Sequence, residues 1–237
     1  KYSNYQQLPK NNELYFNYGR SALLFFLQTY KDFYNKSLTI ATQSLNCSVI
    51  MDACLQSKCK VILLDVKLND FSISIDTLKT LSFDKNPDIL ILTHYQGVIN
   101  QDYLKIANYC KENNILIIED MSQTVKSTIN NTEVGSLGNI QLHSFSFDKP
   151  FSSMKGGSLI LNNINNEKFK HQLIKNYNKI TTESLYVAKK DLEALKFLIH
   201  FSKPNNCLEN IYERTMIHFY FICRSFLRNM FTFIIIH

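Results

Sequence analysis

"DILILTHYQGVINQDYLKIANYCKENNILIIEDMSQT", residues 88–124, holds two short apolar runs with a longer amphipathic segment between them. "DILILTH" (88–94) and "NILIIED" (114–120) each place four aliphatic residues in a row and close on polar ones, the pattern of a strand buried on both faces. Gln101 to Asn113 reads as the helix that joins them. Strand, helix and strand in that order are the signature of parallel strands. The same alternation extends toward the N-terminus. "SLTIAT" (37–42) and "KVILLDV" (60–66) are further buried strands, and "NCSVIMDACLQSK" (46–58) is a helix. Residues 76–82 form a short helix, and Ser21–Tyr34 a longer one, dense in apolar residues at i, i+3 and i+4. The pattern predicts an α/β, three-layer architecture: a mainly parallel sheet flanked by helices. Ligands of such sheets sit at the carboxyl ends of the strands. The polar residues at those ends are Thr42, Asp65, His94, Glu119 and Asp120.

Composition narrows the function classes. The 237 residues are 45% hydrophobic and 19% charged, with a net charge of +6. These are globular values, enough for one large domain with a full core. The basic residues are scattered, with no block of five or six, so neither a nucleic-acid footprint nor a DNA-reading helix pair is evident. The six cysteines (47, 54, 59, 110, 207, 223) form no CxxC pair and no His/Cys ligand spacing. The expectation is no metal site, and reduced thiols in the cytoplasm. Cys54 and Cys110 read as small core residues on helices. The tail "MIHFYFICRSFLRNMFTFIIIH" is apolar and aromatic, but Arg224 and Arg228 interrupt it. Its apolar runs fall short of the ~20 residues of a membrane span, and it reads as a packing helix.

Beyond Asp120, "NNTEVGSLG" (130–138) is rich in turn residues. "HSFSFDKPFSSMKGGSLILNN" (143–163) follows, with strands at 139–147 and 157–162 separated by a turn that carries Lys149. Residues 166–200 look helical, and "SKPNN" (202–206) breaks the pattern. Lys149 stands among Phe147, Pro150 and Phe151. A lysine in apolar surroundings favours its neutral amine, which attacks carbonyls to form Schiff bases. The GxxxxGK[ST] and GxGxxG phosphate loops and the GxSxG elbow are missing. Pyridoxal 5'-phosphate is the cofactor that most often uses such a lysine. It needs a carboxylate against its ring nitrogen and a cup for its phosphate. Asp120, at a strand end, meets the first need. Gly19-Arg20-Ser21, opening a helix, meets the second, with the Ser144 hydroxyl as an addition. Each residue also has a plain structural reading. Lys149 can be a turn lysine, Asp120 a cap for the next segment and Arg20 a surface charge. His94 reads as a structural hydrogen-bonding residue and His143 as a strand residue without a chemical role.

Three blocks, in order, carry a family resemblance. "NYGRSALLFFL" (17–27), residues 88–124 and "VGSLGNIQLHSFSFDKPFSSMKGGSLILNN" (134–163) resemble the sugar aminotransferases of the DegT/DnrJ/EryC1/StrS family, pyridoxal-phosphate enzymes of fold type I. The likeness covers about residues 15–165. It implies that Lys149 holds the cofactor as a Schiff base and later shuttles the proton. It further implies that Asp120 pairs with the pyridinium nitrogen and that Gln123 lies near the ring and its phenolic oxygen. Gly19, Arg20, Ser21 and Ser144 hold the phosphate, and Asn46 and Cys47 fall where the family covers one ring face. Cys47 departs from the usual aromatic cover, and Lys155 replaces the acid that usually precedes the Gly-Gly. The retained lysine argues against the dehydratase relatives, which carry histidine there.

The resemblance further implies an amino-sugar or cell-surface polysaccharide (lipopolysaccharide) pathway. The substrate would be a nucleotide-linked keto-sugar, the amino donor glutamate, and the assembly a homodimer with no membrane span. On this reading residues 1–200 are the pyridoxal-phosphate-binding large domain. Residues 201–237 are a truncated or divergent C-terminal segment, an apolar helix, where the family has a small domain, here largely missing. Two other readings stand beside it: a non-catalytic homologue serving as an interaction partner or decayed product, and a regulatory pyridoxal-phosphate protein.

Overall fold

Strand alternation organises the sheet, and the helices follow from it. The computed structural model describes residues 12–180, apart from 82–85, 125, 147 and 154. In chain order the elements are β1 (Glu13–Phe16), α1 (Gly19–Tyr34), β2 (Thr39–Gln43), α2 (Ser48–Gln56), β3 (Lys60–Leu64), α3 (Ile75–Lys79), β4 (Ile89–Thr93), α4 (Tyr103–Glu112), β5 (Leu116–Asp120), β6 (Thr128–Ile129), β7 (Thr132–Glu133), β8 (Ile140–Ser144), β9 (Gly157–Leu161) and α5 (Glu167–Tyr177). Seven strands form one sheet in the order β1-β9-β8-β5-β4-β2-β3, and β6-β7 is a separate hairpin. β3, β2, β4, β5 and β8 are parallel. β9 runs antiparallel to both β8 and β1.

The sheet separates two cores, the three layers expected from the sequence. On one face, Ile40, Ile91, Ile118, Ile140 and Leu142 pack with Leu23, Phe26 and Leu27 of α1, Ala53 of α2 and Phe169 of α5. On the other, Ala41, Leu90, Leu92 and Ile117 pack with Leu78 of α3 and with Tyr103 and Ile106 of α4. Leu23, Phe26 and Leu27 are fully buried, each worth about 1.5–3 kcal/mol relative to exposure. Phe169 meets Phe26, Tyr30 and Phe33 edge-on at 5.9, 5.2 and 5.3 Å between centroids. α1 ends where Asn35 takes a left-handed conformation (φ 45°), which asparagine tolerates.

Two features differ from the expectation. β1 is short and is held by pairing with distant β9 (Leu14 opposite Leu159), a partner no local pattern announces. The strand expected over 139–147 stops at Ser144. Phe145 still bonds Gly156 (3.0 Å), but the chain then closes a turn with Lys149 N–H on Ser146 O (2.9 Å). The expected domain division at residue 200, the helix beyond 180 and the apolar tail lie outside the described residues.

The cysteines give a test of the two cores. Burial pushes the Cys54 and Cys110 thiols up to about 12. Burial also raises Cys59, with Lys31 partly opposing it. Cys47 is exposed. Because the thiolate is the nucleophile, alkylation of the native protein followed by peptide mapping should modify Cys47 before Cys54, Cys59 and Cys110. Cys54, Cys59 and Cys110 should react only on unfolding. Equal labelling of Cys47 and Cys110 in the native state would contradict this packing.

Candidate functional site

The N-terminus of α1 is the first half of the site. Among the described residues no side chain caps it, and no acid stands in its first turn. Its first internal bond is Ala22 N–H to Tyr18 O (3.1 Å). The amides of Gly19, Arg20 and Ser21 therefore point out of the helix at the positive end of its dipole. The β8–β9 pair presses against this end. A Cβ at Gly157 would lie 2.3 Å from Gly19 N, so only glycine fits there. A Cβ on Gly19 would meet Ser144 Cβ at 3.0 Å. The Ser144 hydroxyl lies 3.2 Å from that of Ser146. Gly19, Ser144 and Gly157 are thus brought together. Ser21 is exposed. Arg20 turns toward α2, with its guanidinium 3.7 Å from the Asp52 carboxylate.

The second half is the carboxyl end of the sheet on the same face. Alternation puts Ile118 and Asp120 of β5, Ile91 and Thr93 of β4, and Leu142 and Ser144 of β8 on the side that α1 covers. Thr93 and Asp120 are register partners. Asp120 is 4% exposed. Its Oδ2 accepts from the Thr93 hydroxyl (3.2 Å) and its Oδ1 from Ser122 N–H (3.0 Å). No cation forms an ion pair with it among the described residues. A carboxylate can accept about four bonds, so Asp120 retains capacity for a cationic N–H. A buried carboxylate with that capacity, beside an uncapped helix end, suits a ring with a protonated nitrogen and a phosphate arm.

Glu119, one residue earlier, faces the opposite way. It is fully buried, and it accepts from Tyr103 OH (2.8 Å) and Gly135 N–H (2.8 Å), from Gly138 N–H, and from His94 Nε2 at 3.4 Å. Burial first, and then the Glu119 charge, hold Tyr103 above the ordinary tyrosine range. A Cβ at Gly138 would stand 2.8 Å from Glu119 Cγ. Glu119 therefore ties the Gly135–Gly138 turn to the end of β5. Sequence reading placed Glu119 and His94 at strand ends but missed this bond set and Tyr103. The Gly-Ser-Leu-Gly turn was the available signal.

The remaining predicted residues fall around the same edge. Lys149 lies in the connection that leaves the carboxyl end of β8, next to β5. Its side chain is 14% exposed, and Nζ is 3.0 Å from Asp148 Oδ2. Gln123 accepts through Oε1 from Gln96 N–H. Asn46 is half-buried, whereas Cys47 at the start of α2 is exposed. His143 lies on the other face of β8, where Nε2 meets Gln141 Oε1 at 2.9 Å and burial lowers its proton affinity. Asp65 is exposed beyond β3.

The model of the DegT/DnrJ/EryC1/StrS aminotransferase family matches residues 10–185. A UDP-4-amino-4,6-dideoxy-N-acetyl-beta-L-altrosamine transaminase of Campylobacter jejuni is 28% identical over 129 residues, 54% of this chain and 34% of the relative. Helicobacter pylori PseC, an aminotransferase involved in the biosynthesis of pseudoaminic acid, superposes with a TM-score of 0.61 at 20% identity, over 73% of this chain and 46% of that one. An E. coli GDP-4-keto-6-deoxy-D-mannose-3-dehydratase with bound hydrated PLP gives a TM-score of 0.60 at 20% identity, over 68% and 41%. The chain thus spans 34% of the curated relative and under half of both solved structures.

Two substitutions test the geometry. Gly157→Ala drives a methyl group into α1 backbone and should cost about 3 kcal/mol of stability in denaturant titration. Glu119→Ala strands buried donors and should cost about 3 kcal/mol. Glu119→Gln, which keeps an acceptor, should cost less. Equal losses for the two Glu119 variants would show that the acceptor retained by glutamine contributes nothing.

Proposed function

Because the chain belongs to the DegT/DnrJ/EryC1/StrS aminotransferase family, we propose that it is a pyridoxal-5'-phosphate-dependent aminotransferase acting on a nucleotide-linked keto-sugar, with glutamate as amino donor. One observation supports this above the others. On the α1 face, at one end of the sheet, a buried carboxylate with acceptor capacity (Asp120) stands near an uncapped helix terminus closed by Ser144 and Gly157. Lys149 follows in the same connection. The named relatives add weight to the sugar assignment, since the curated one is a transaminase of a UDP-linked amino sugar.

The bound cofactor would supply an electron sink for charge developing at the donor's α-carbon. The chain's residues supply the rest. The α1 amides and Ser144 bind the phosphate. Asp120 favours the protonated ring nitrogen by direct charge pairing. Gln123, its oxygen fixed by Gln96 N–H, orients its amide toward the ring edge. Lys149 holds the cofactor and, once displaced, moves a proton as a positioned base. Its contact with Asp148, a half-exposed carboxylate, is worth at most about 1 kcal/mol and yields readily. Arg20 acts in this scheme through its backbone, its side chain being engaged by Asp52. Cys47, at the exposed rim, lines the face opposite the sheet.

With this reading go a homodimer, a cytoplasmic location, a role in amino-sugar or surface-polysaccharide synthesis, and a large domain reaching about residue 200. Among the described residues no helix is long and apolar enough to cross a membrane.

Borohydride reduction of the protein with added pyridoxal phosphate should leave a stable adduct, mapped by peptide mass to Lys149 and lost in Lys149→Ala. Asp120→Asn should weaken cofactor retention at least ~10-fold, the loss of one charged bond. Glutamate alone should then discharge the bound cofactor to its amino form in a half-reaction. An unmodified parent protein would falsify the cofactor assignment. An adduct without the half-reaction would favour the non-catalytic reading.

A further inference from the structure

Asp120 is joined to a chain of side chains that runs across three neighbouring strands. Cys47 N–H donates to Asn46 Oδ1 at 2.8 Å. This contact fixes which end of the Asn46 amide faces the sheet. The other end, Nδ2, donates to Thr93 Oγ1 at 2.8 Å and to Thr42 Oγ1 at 3.2 Å. An amide NH₂ only donates, so the Thr93 oxygen is engaged as an acceptor there. Its own proton must go elsewhere, and Asp120 Oδ2 is the acceptor it meets, at 3.2 Å. Thr42 and Thr93 are each 2% exposed. Water therefore has little access to this row, and its direction is set by the amide.

We infer that Thr93 and Asn46 are positioning residues that hold Asp120 in the orientation in which it receives the ring nitrogen. The inference rests on the cofactor reading above and deepens it. It also moves Asn46 from the ring-covering role suggested by sequence to a support behind the carboxylate. The physical logic is one of occupied valence. Ser122 N–H takes Oδ1 and the Thr93 hydroxyl takes Oδ2. The carboxylate cannot rotate without losing both bonds, so its remaining lone pairs keep a fixed aim. Such preorganisation lowers the cost of ordering the group when the ligand arrives. Threonine is suited to the position. Its branched side chain fits the strand, and it lies directly beside Asp120 in the parallel register.

The test uses the 237-residue chain and pyridoxal phosphate itself, and reads binding rather than turnover. Thr93→Val keeps the shape and removes the hydroxyl, while Thr93→Ser keeps the hydroxyl and removes the methyl. Thr93→Val should raise the cofactor dissociation constant ~10-fold, as expected for one lost bond to a charged group. It should also change the ratio of the absorbance bands of the lysine-bound cofactor. Thr93→Ser should restore both to within about twofold of the parent. Asn46→Ala, which leaves the strand intact, should give a smaller loss with the same spectral change. If the Val variant does not fold, as judged by circular dichroism, the Ser and Asn46 variants carry the comparison. A parent that binds the cofactor alongside Thr93→Val and Asn46→Ala variants with unchanged affinity and spectrum overturns this inference alone. A parent that takes up no cofactor overturns the reading beneath it, and this inference with it.

Discussion

Two consecutive carboxylates end β5, and strand geometry sends them to opposite faces of the sheet. Glu119 points toward α4 and is consumed by structure: its oxygens collect Tyr103, Gly135, Gly138 and His94. Asp120 points toward the α1 side and keeps acceptor capacity after its bonds to Thr93 and Ser122. The two roles cannot be exchanged without shifting the register of β5 by one residue, which would also turn its apolar residues to the wrong cores. A single backbone period therefore fixes both the anchoring of the 135–138 turn and the chemistry available at the site.

The same edge of the sheet receives the N-terminus of α1. The approach is possible because residue 157 has no side chain to obstruct Gly19. What drives it is the apolar interface behind, where Leu23, Phe26 and Leu27 lie on the sheet and under Phe169 of α5. The polar end of the helix is thus delivered to the rim by burial of its remaining turns. The arrangement places fixed backbone dipoles where an anion can sit. The Arg20 side chain is engaged on α2 instead.

Much of this was legible in the chain itself. The aliphatic runs at 89–92 and 115–118 gave β4 and β5, because a strand buried on both faces has no polar side to alternate with. Asp120 stood out because it closes a strand and Lys149 because it stands in a turn among apolar residues, whereas Ser144 was read inside a strand. The hidden parts were those defined by pairing. β1 exists because β9 lies beside it. Thr93 matters because it is opposite Asp120, and Glu119 because a turn sixteen residues away folds back onto it. None of these partners is near in sequence, so no local pattern carries them.

The sequence by itself determined the alternation of buried strands with amphipathic helices, the edge of the sheet where polar groups gather, and the residue types able to hold an amine, a ring nitrogen and a phosphate. Those follow from hydrophobic periodicity and side-chain chemistry, which are local properties. Only the tertiary structure decided which of two adjacent acids is spent on a turn and which keeps acceptor capacity, where the Arg20 side chain goes, and that Asn46 bonds the threonine beside Asp120. Those outcomes depend on strand order and register, which are fixed by the packing of the two cores together.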